Sequence, residues 1–149
     1  DEAGGSGQLM FDLSFRRGMR CCVVDPREMK LAPKQLKAFE YRNKIVDERC
    51  PIVELCSMRR YFNPDFVSDA GEGEIAWREC GCVVGMHPDQ PTEDIVDLAL
   101  RDGKPFALVP CCVFWKQQRA ERVHNNTAVR SYEEFCDYLE AKAPEIRRE

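Results

Sequence analysis

No apolar run in these 149 residues approaches the length of a membrane span, and the chain does not open with a basic-then-apolar secretory leader. A soluble protein is the expectation. Internal repeats and low-complexity tracts are also missing, and with 44% hydrophobic and 32% charged residues the composition is that of a globular chain, not a disordered one. Positive charge does not predominate. A formal charge of -4 and a pI near 5.4 argue against a strongly attractive surface for nucleic-acid phosphates. Arg16, Arg17 and Arg20 read as a solvated helix end, with a basic lining of one face as the alternative. The length suits one domain, residues 1–149, able to bury a core.

Cysteine is abundant, and its nine residues form a high, odd number for which a disulfide framework is the first reading. Cys21, Cys22, Cys80, Cys82, Cys111 and Cys112, however, all fall inside apolar strand-like runs, where a thiol behaves as a small hydrophobe. Reduced thiols and an intracellular compartment are therefore expected. Metal is not: zinc takes four ligands, and the spacing of these cysteines supplies no such set at one end of a sheet.

The most informative stretch is Asp1-Glu2-Ala3-Gly4-Gly5-Ser6-Gly7, followed by the helix-compatible Gln8 to Leu13. Glycines permit positive φ and close approach to the backbone, and the free N–H groups of a first helical turn favour anionic or polar ligand groups. Cys21-Cys22-Val23-Val24-Asp25-Pro26 is a short β-type run that ends in an acid and is stopped by proline. In a doubly wound sheet that acid lies beside the glycine turn and accepts hydrogen bonds from a ribose. The two pieces suggest an adenosine-containing ligand. The dinucleotide fingerprint G-x-G-x-x-G is the competing reading, with a nicotinamide-dependent oxidoreductase as its consequence, but Met10 stands where its third glycine belongs.

In chain order, the pattern predicts a helix from Gln8 to about Arg17 stopped by Gly18, a strand from Met19 to Val24, and a helix from Pro33 to about Asp47. It then predicts a strand from Cys50 to Cys56 and an aromatic-anchored loop over 59–66. Gly71-Glu72-Gly73-Glu74 reads as a flexible acidic link. Cys80 to Met86 is a buried strand ending in His87-Pro88-Asp89-Gln90, Thr92 to Arg101 is a helix with Thr92 at its cap and Gly103 as its stop, and Pro105 to Phe114 is a second buried strand. That is a βαβ unit of parallel type. Ser131 and Glu134 have capping-box spacing for a last helix to about Ala141, with Tyr132, Phe135, Tyr138 and Leu139 on its apolar face.

Ligands gather at the carboxyl ends of parallel strands, and Asp1, Asp25, His87 and Cys111-Cys112 are all expected there. His87 is read as a general base, a substrate-orienting donor or a loop-capping group; Asp89 shares those roles, helix capping being its structural one. Cys111 and Cys112 are read as shaping the cleft floor, against redox and metal alternatives.

Acid-x-x-Gly-Gly-x-Gly followed by an acid closing the second strand resembles the first two motifs of the class I S-adenosylmethionine-dependent methyltransferases. The order strand, His-Pro-Asp-Gln, helix, strand, Pro-Cys-Cys resembles one branch of that superfamily, which includes a transfer-RNA 2′-O-methyltransferase type. The likeness runs from Asp1 to about Phe114, and the Asn-Pro-Pro-Tyr tetrad of amino-methyltransferases is missing from it. It implies a Rossmann-like doubly wound parallel sheet and S-adenosyl-L-methionine as cofactor, bound by Asp1, Ala3, Gly4, Gly5, Ser6, Gly7, Asp25, Pro26 and His87. It also implies catalysis by His87 and Asp89 and an RNA acceptor, and it places Cys56, Ser57 or Met58 in a loop near adenine. A strand leading into Asp1 and two strands after the last helix would complete such a sheet, so the domain is expected to be incomplete at both ends. A protein complex supplying those strands is the other partner implied. A non-catalytic structural or assembly subunit with the same fold is the alternative to an enzyme.

Overall fold

The computed structural model describes residues 7–45, 54–110 and 122–148. Among the described residues it is a mixed α/β structure whose sheets are each two strands wide, and the chain divides into two compact units, Asp1–Phe62 and Asn63–Glu149.

The first unit opens with α1 (Gln8–Phe11), which runs on as a π-helical turn over Asp12–Arg16. Gly18 follows in the left-handed region, as its place after the apolar run predicts. β1 (Cys22–Val24) is shorter than the expected strand, and α2 (Pro33–Lys44) stops before the expected Asp47. Pro33 starts α2 where a missing N–H costs nothing. Gln35 accepts the Ala32 N–H at 2.7 Å and donates to Gln8 Oε1 at 2.7 Å, tying α2 to α1. β2 is Cys56–Met58, so the residues expected in a loop near adenine form the strand itself, while residues 50–53 of the expected strand lie outside the described ones. β1 and β2 are parallel, with Cys22 opposite Cys56 and Val24 opposite Met58.

Met10, Phe11 and Phe39 are the buried centre of this unit, with Phe15, Cys21, Val23 and Leu31 against them. Phe11 stacks on Phe15 at 4.9 Å and meets Phe39 edge-on at 5.3 Å. The Arg42 guanidinium lies over Phe15 and donates to the Ser14 and Phe15 carbonyls. Those donations reach carbonyls in the last turn of the π-helical segment, where the Ser14 carbonyl also accepts the Gly18 N–H at 3.1 Å.

The second unit holds α3 (Pro64–Ser68), α4 (Glu72–Glu79), β3 (Val83–Met86), α5 (Thr92–Arg101), β4 (Phe106–Val109), the hairpin β5 (Val123–His124) and β6 (Thr127–Ala128), and α6 (Tyr132–Glu140). The stretch expected as an acidic link is instead the start of α4. Trp77 on that helix donates its indole N–H to Asp102 at 2.6 Å, and Gly73 lets the helix approach Phe66. β3 and β4 are parallel and in register from Val83 opposite Phe106 to Met86 opposite Val109, joined through α5. This is the expected βαβ unit, but its strands are shorter and, instead of being buried, expose Val84, Met86 and Val109. Asn125 and Asn126 both take positive φ, the demand of a two-residue hairpin turn that asparagine tolerates.

Val96, Val129, Phe135 and Leu139 form the second core, with Leu100, Phe106, Leu108, Tyr138 and Ile146 around them. α5 buries Ile95, Val96, Leu98 and Ala99, the face its 3.6-residue periodicity marks. The α6 capping box is present: Ser131 Oγ accepts the Glu134 N–H at 3.2 Å, and Glu134 accepts the Ser131 N–H at 2.8 Å. Of the four residues assigned to its apolar face, Tyr132 is turned to solvent.

Candidate functional site

In the first unit, Asp25 stands one residue beyond β1, and its N–H donates to the Met58 carbonyl of β2 at 3.2 Å. Its carboxylate is therefore at the carboxyl end of a parallel strand pair, where the sequence expected it. Pro26 is exposed in the turn beyond. What the motif did not indicate is Arg27. Asp25 Oδ1 accepts the Arg27 N–H at 2.7 Å and Nε–H at 3.0 Å, and Oδ2 accepts the Arg27 terminal N–H at 2.9 Å. The Arg27 side-chain hydrogen bond is the main reason the Asp25 carboxyl titrates below its ordinary value, against an opposing push from burial. The signal was legible as Asp-Pro-Arg, because an Asp side chain readily bonds the backbone two residues on.

Gly7 has φ 73°, and a Cβ there would lie 2.7 Å from Met29 Cγ and Sδ and 3.2 Å from Leu31 Cδ2. The last glycine of the turn is thus pressed against the loop that follows Asp25, so the two motif halves meet in one unit. Asp1, Ala3, Gly4, Gly5 and Ser6 lie outside the described residues, as do Cys111 and Cys112.

The fit of a ribose can be judged from the carboxylate's hydrogen-bonding capacity. A carboxylate offers about four lone-pair sites; Arg27 takes two on Oδ1 and one on Oδ2. One site on Oδ2 remains for a hydroxyl, and accepting from both hydroxyls of a ribose requires Arg27 to yield one. The residues fit the ligand in chemistry and are engaged in geometry.

In the second unit, His87 follows β3 directly, and its N–H donates to the Val109 carbonyl at 2.9 Å, extending the β3–β4 ladder. His87 and Asp89 both adopt left-handed backbone, φ 53° and 48°, a conformation uncommon for residues with a Cβ and better tolerated by His and Asp than by most. Pro88 between them packs on Gly85, where a Cβ would lie 3.0 Å from Pro88 Cγ and 2.5 Å from Leu108 Cδ2. The N-cap residue of α5 is Pro91, which makes no side-chain capping hydrogen bond. The Asp89 carbonyl accepts the Thr92 hydroxyl at 2.8 Å, and Thr92 is the first helical residue and not the cap. His87 and Asp89 are half-buried and flank one turn at the carboxyl end of β3. Asp25 belongs to the first unit and His87 to the second.

The cysteine reading divides. Cys21 packs in the first core and Cys82 is exposed, while Cys22 forms a disulfide with Cys56, contrary to the reduced thiols expected. Their parallel register sets the two Cα atoms 4.5 Å apart, within disulfide reach. No feature of either cysteine's own run announces that pairing.

A polar cluster that sequence reasoning did not find ties α5 to the C-terminal segment. Glu93 is buried and accepts from Arg122 Nε at 2.7 Å, from Lys142 Nζ at 3.2 Å and from the Tyr138 hydroxyl. Burial and then the Glu93 carboxylate push the Tyr138 phenol up, and the charge pairs with Asp97 and Glu93 outweigh burial to hold Lys142 above its ordinary value. Every charge there has a partner, so the cluster is a fastening. Among the described residues no group of three or more His, Cys, Asp or Glu is placed to hold a metal ion, and no helix is long and apolar enough to cross a membrane. No family model matches the chain, and neither a curated protein nor a solved structure matches it.

Proposed function

We propose that this chain is an S-adenosylmethionine-dependent methyltransferase acting on RNA. The observation that carries the reading is that both parallel strand pairs end in the residue the motif requires, Asp25 after β1 and His87 after β3. In open α/β sheets that is the ligand-binding edge. The finer architecture, a Rossmann-like doubly wound parallel sheet, belongs to the same proposal.

In this reading Asp25 accepts a ribose hydroxyl, and Gly7, whose Cβ position Met29 fills, lets the turn close against the loop that follows Asp25. The bound donor supplies a methyl already activated by its sulfonium sulfur, so transfer depends mainly on alignment. A hydroxyl acceptor must lose a proton as it attacks, and His87 takes it, with Asp89 on the same turn as the second candidate. The left-handed backbone at both positions supports this assignment, since such conformations cluster at functional turns.

Calorimetric titration of S-adenosylhomocysteine into the protein, beside Asp25→Ala, tests the reading. Saturable binding that the variant loses supports it; no binding by folded protein removes it, along with the roles given to His87 and Asp89. The Arg27 grip on Asp25 favours a second reading, a methyltransferase-like subunit that does not catalyse. Radiolabelled methyl transfer to RNA by donor-binding protein separates the two.

A further inference from the structure

The overall charge conceals a division. Residues 1–62 contain twelve lysines and arginines against nine aspartates and glutamates, whereas residues 63–149 contain ten against seventeen. The first unit is thus formally +3 and the second -7, which together give the chain's -4. An argument from net charge against a polyanion partner does not apply to the first unit.

Within that unit the charge has a direction. Lys34, Lys37, Tyr41 and Lys44 are all exposed on α2. At about 100° per residue they fall within roughly 80° of arc and span about 15 Å of helix. Phe39, buried in the aromatic core, lies about 180° from the middle of that arc. The stripe therefore faces away from the core, with Glu40 at its margin. Tyr41, near its middle, is 69% exposed, more than any other large apolar or aromatic side chain among the described residues. Core packing does not account for an aromatic ring held out between three ammonium groups. Lysines suit backbone phosphates, and an exposed aromatic ring suits stacking with an unpaired base.

We propose that the Lys34, Lys37, Tyr41 and Lys44 stripe of α2 is the docking face for single-stranded RNA. The inference rests on the RNA-acceptor reading for its biological sense, but it is tested without the methyl donor, so its failure and that of the donor site are distinguishable. The lysines hold successive phosphates, and Tyr41 stacks on a base between them. Sequence preference is weak, because every base offers a π-face.

The test is fluorescence anisotropy of the full chain with a dye-labelled oligouridine of about twelve nucleotides. Binding is expected to weaken steeply between about 50 and 200 mM salt. K34E/K37E/K44E, with an unchanged circular dichroism spectrum, is expected to lose at least about tenfold in affinity and about two units of the log–log salt slope. Tyr41→Ala is expected to lose about fivefold or more, and Tyr41→Phe, which keeps the ring, to bind as the wild type does. Wild-type protein that ignores the oligonucleotide, or a folded triple-charge variant that binds it equally well, overturns the proposal. So does polyglutamate displacing the RNA at equal charge concentration, which assigns the stripe to an acidic protein.

Discussion

Glu93 and Arg122 are 29 residues apart in the chain and meet as an ion pair at 2.7 Å, with side chains only 3% and 6% exposed. Arg122 also lies over the Phe135 ring at 4.8 Å, so one guanidinium fastens the segment entering the hairpin to both α5 and α6. Removing Arg122 leaves the buried Glu93 carboxylate to Lys142 and Tyr138. Arg122→Leu is expected to cost about 1.5–3 kcal/mol, and Glu93→Leu with Arg122→Leu less than the two singles combined. Urea unfolding midpoints for the four members of the cycle measure this.

Asp102 gives the second unit an acid-sensitive contact. Its carboxyl is pulled down to about 2, first by the Arg101 hydrogen bond and then by the Trp77 indole N–H. A depressed carboxyl contributes stability that is complete above its unfolded value of about 3.9 and is lost as pH falls through the folded one. Between about pH 4 and 2, wild-type protein should lose more stability than Asp102→Asn. Trp77 fluorescence during urea titrations at those pH values reports the difference.

Gly7 and Gly18 both have positive φ, but only Gly7 has neighbours where a Cβ would go. Gly18→Ala should cost about 1 kcal/mol, the left-handed penalty alone. Gly7→Ala meets Met29 as well and should cost about 1–3 kcal/mol more. Thermal unfolding of the two variants compares them directly.

On the proposed reading, Arg27 and a ribose would compete for the Asp25 carboxylate. Arg27→Ala should raise the Asp25 pKa, since the arginine's hydrogen bonds hold it down, and should tighten S-adenosylhomocysteine binding near neutral pH, where the carboxylate stays ionised. Calorimetry on the variant checks the affinity, and carboxyl chemical shifts check the titration. Weaker binding would make Arg27 a ligand contact in its own right.

The Cys22–Cys56 bond links β1 to β2. Alkylation without reductant should leave this pair unmodified, and prior reduction should add two labels, read by mass spectrometry of the peptides. Reduction should also cost about 2–4 kcal/mol of stability. Cys22→Ser, unable to form the bond, should show no such dependence on reductant.

α5 and α6 were legible because their core-facing residues recur at helical spacing and because Ser131 and Glu134 announce a start. The β3–α5–β4 unit was legible for a related reason: two apolar runs flank a helix too amphipathic to be anything else. β2 was not legible. Cys56-Ser57-Met58 has no pattern of its own and becomes a strand through its ladder with β1. α4 was hidden in the same way, since Gly71 and Gly73 suggest a linker, and the Trp77–Asp102 contact and the packing on Phe66 decide otherwise.

At the site, the chain's own pattern determined where Asp25 and His87 would fall, because short-range signals, an apolar run and the residue that ends it, set the ends of strands. The same holds for the basic stripe of α2, which follows from helical spacing once the helix is granted. Tertiary structure alone decided what those residues meet. The Arg27 fork on Asp25, the Cys22–Cys56 bond and the Glu93–Arg122 pair each depend on distances across the fold, and the chemistry of a carboxylate or a thiol belongs to its neighbours in space.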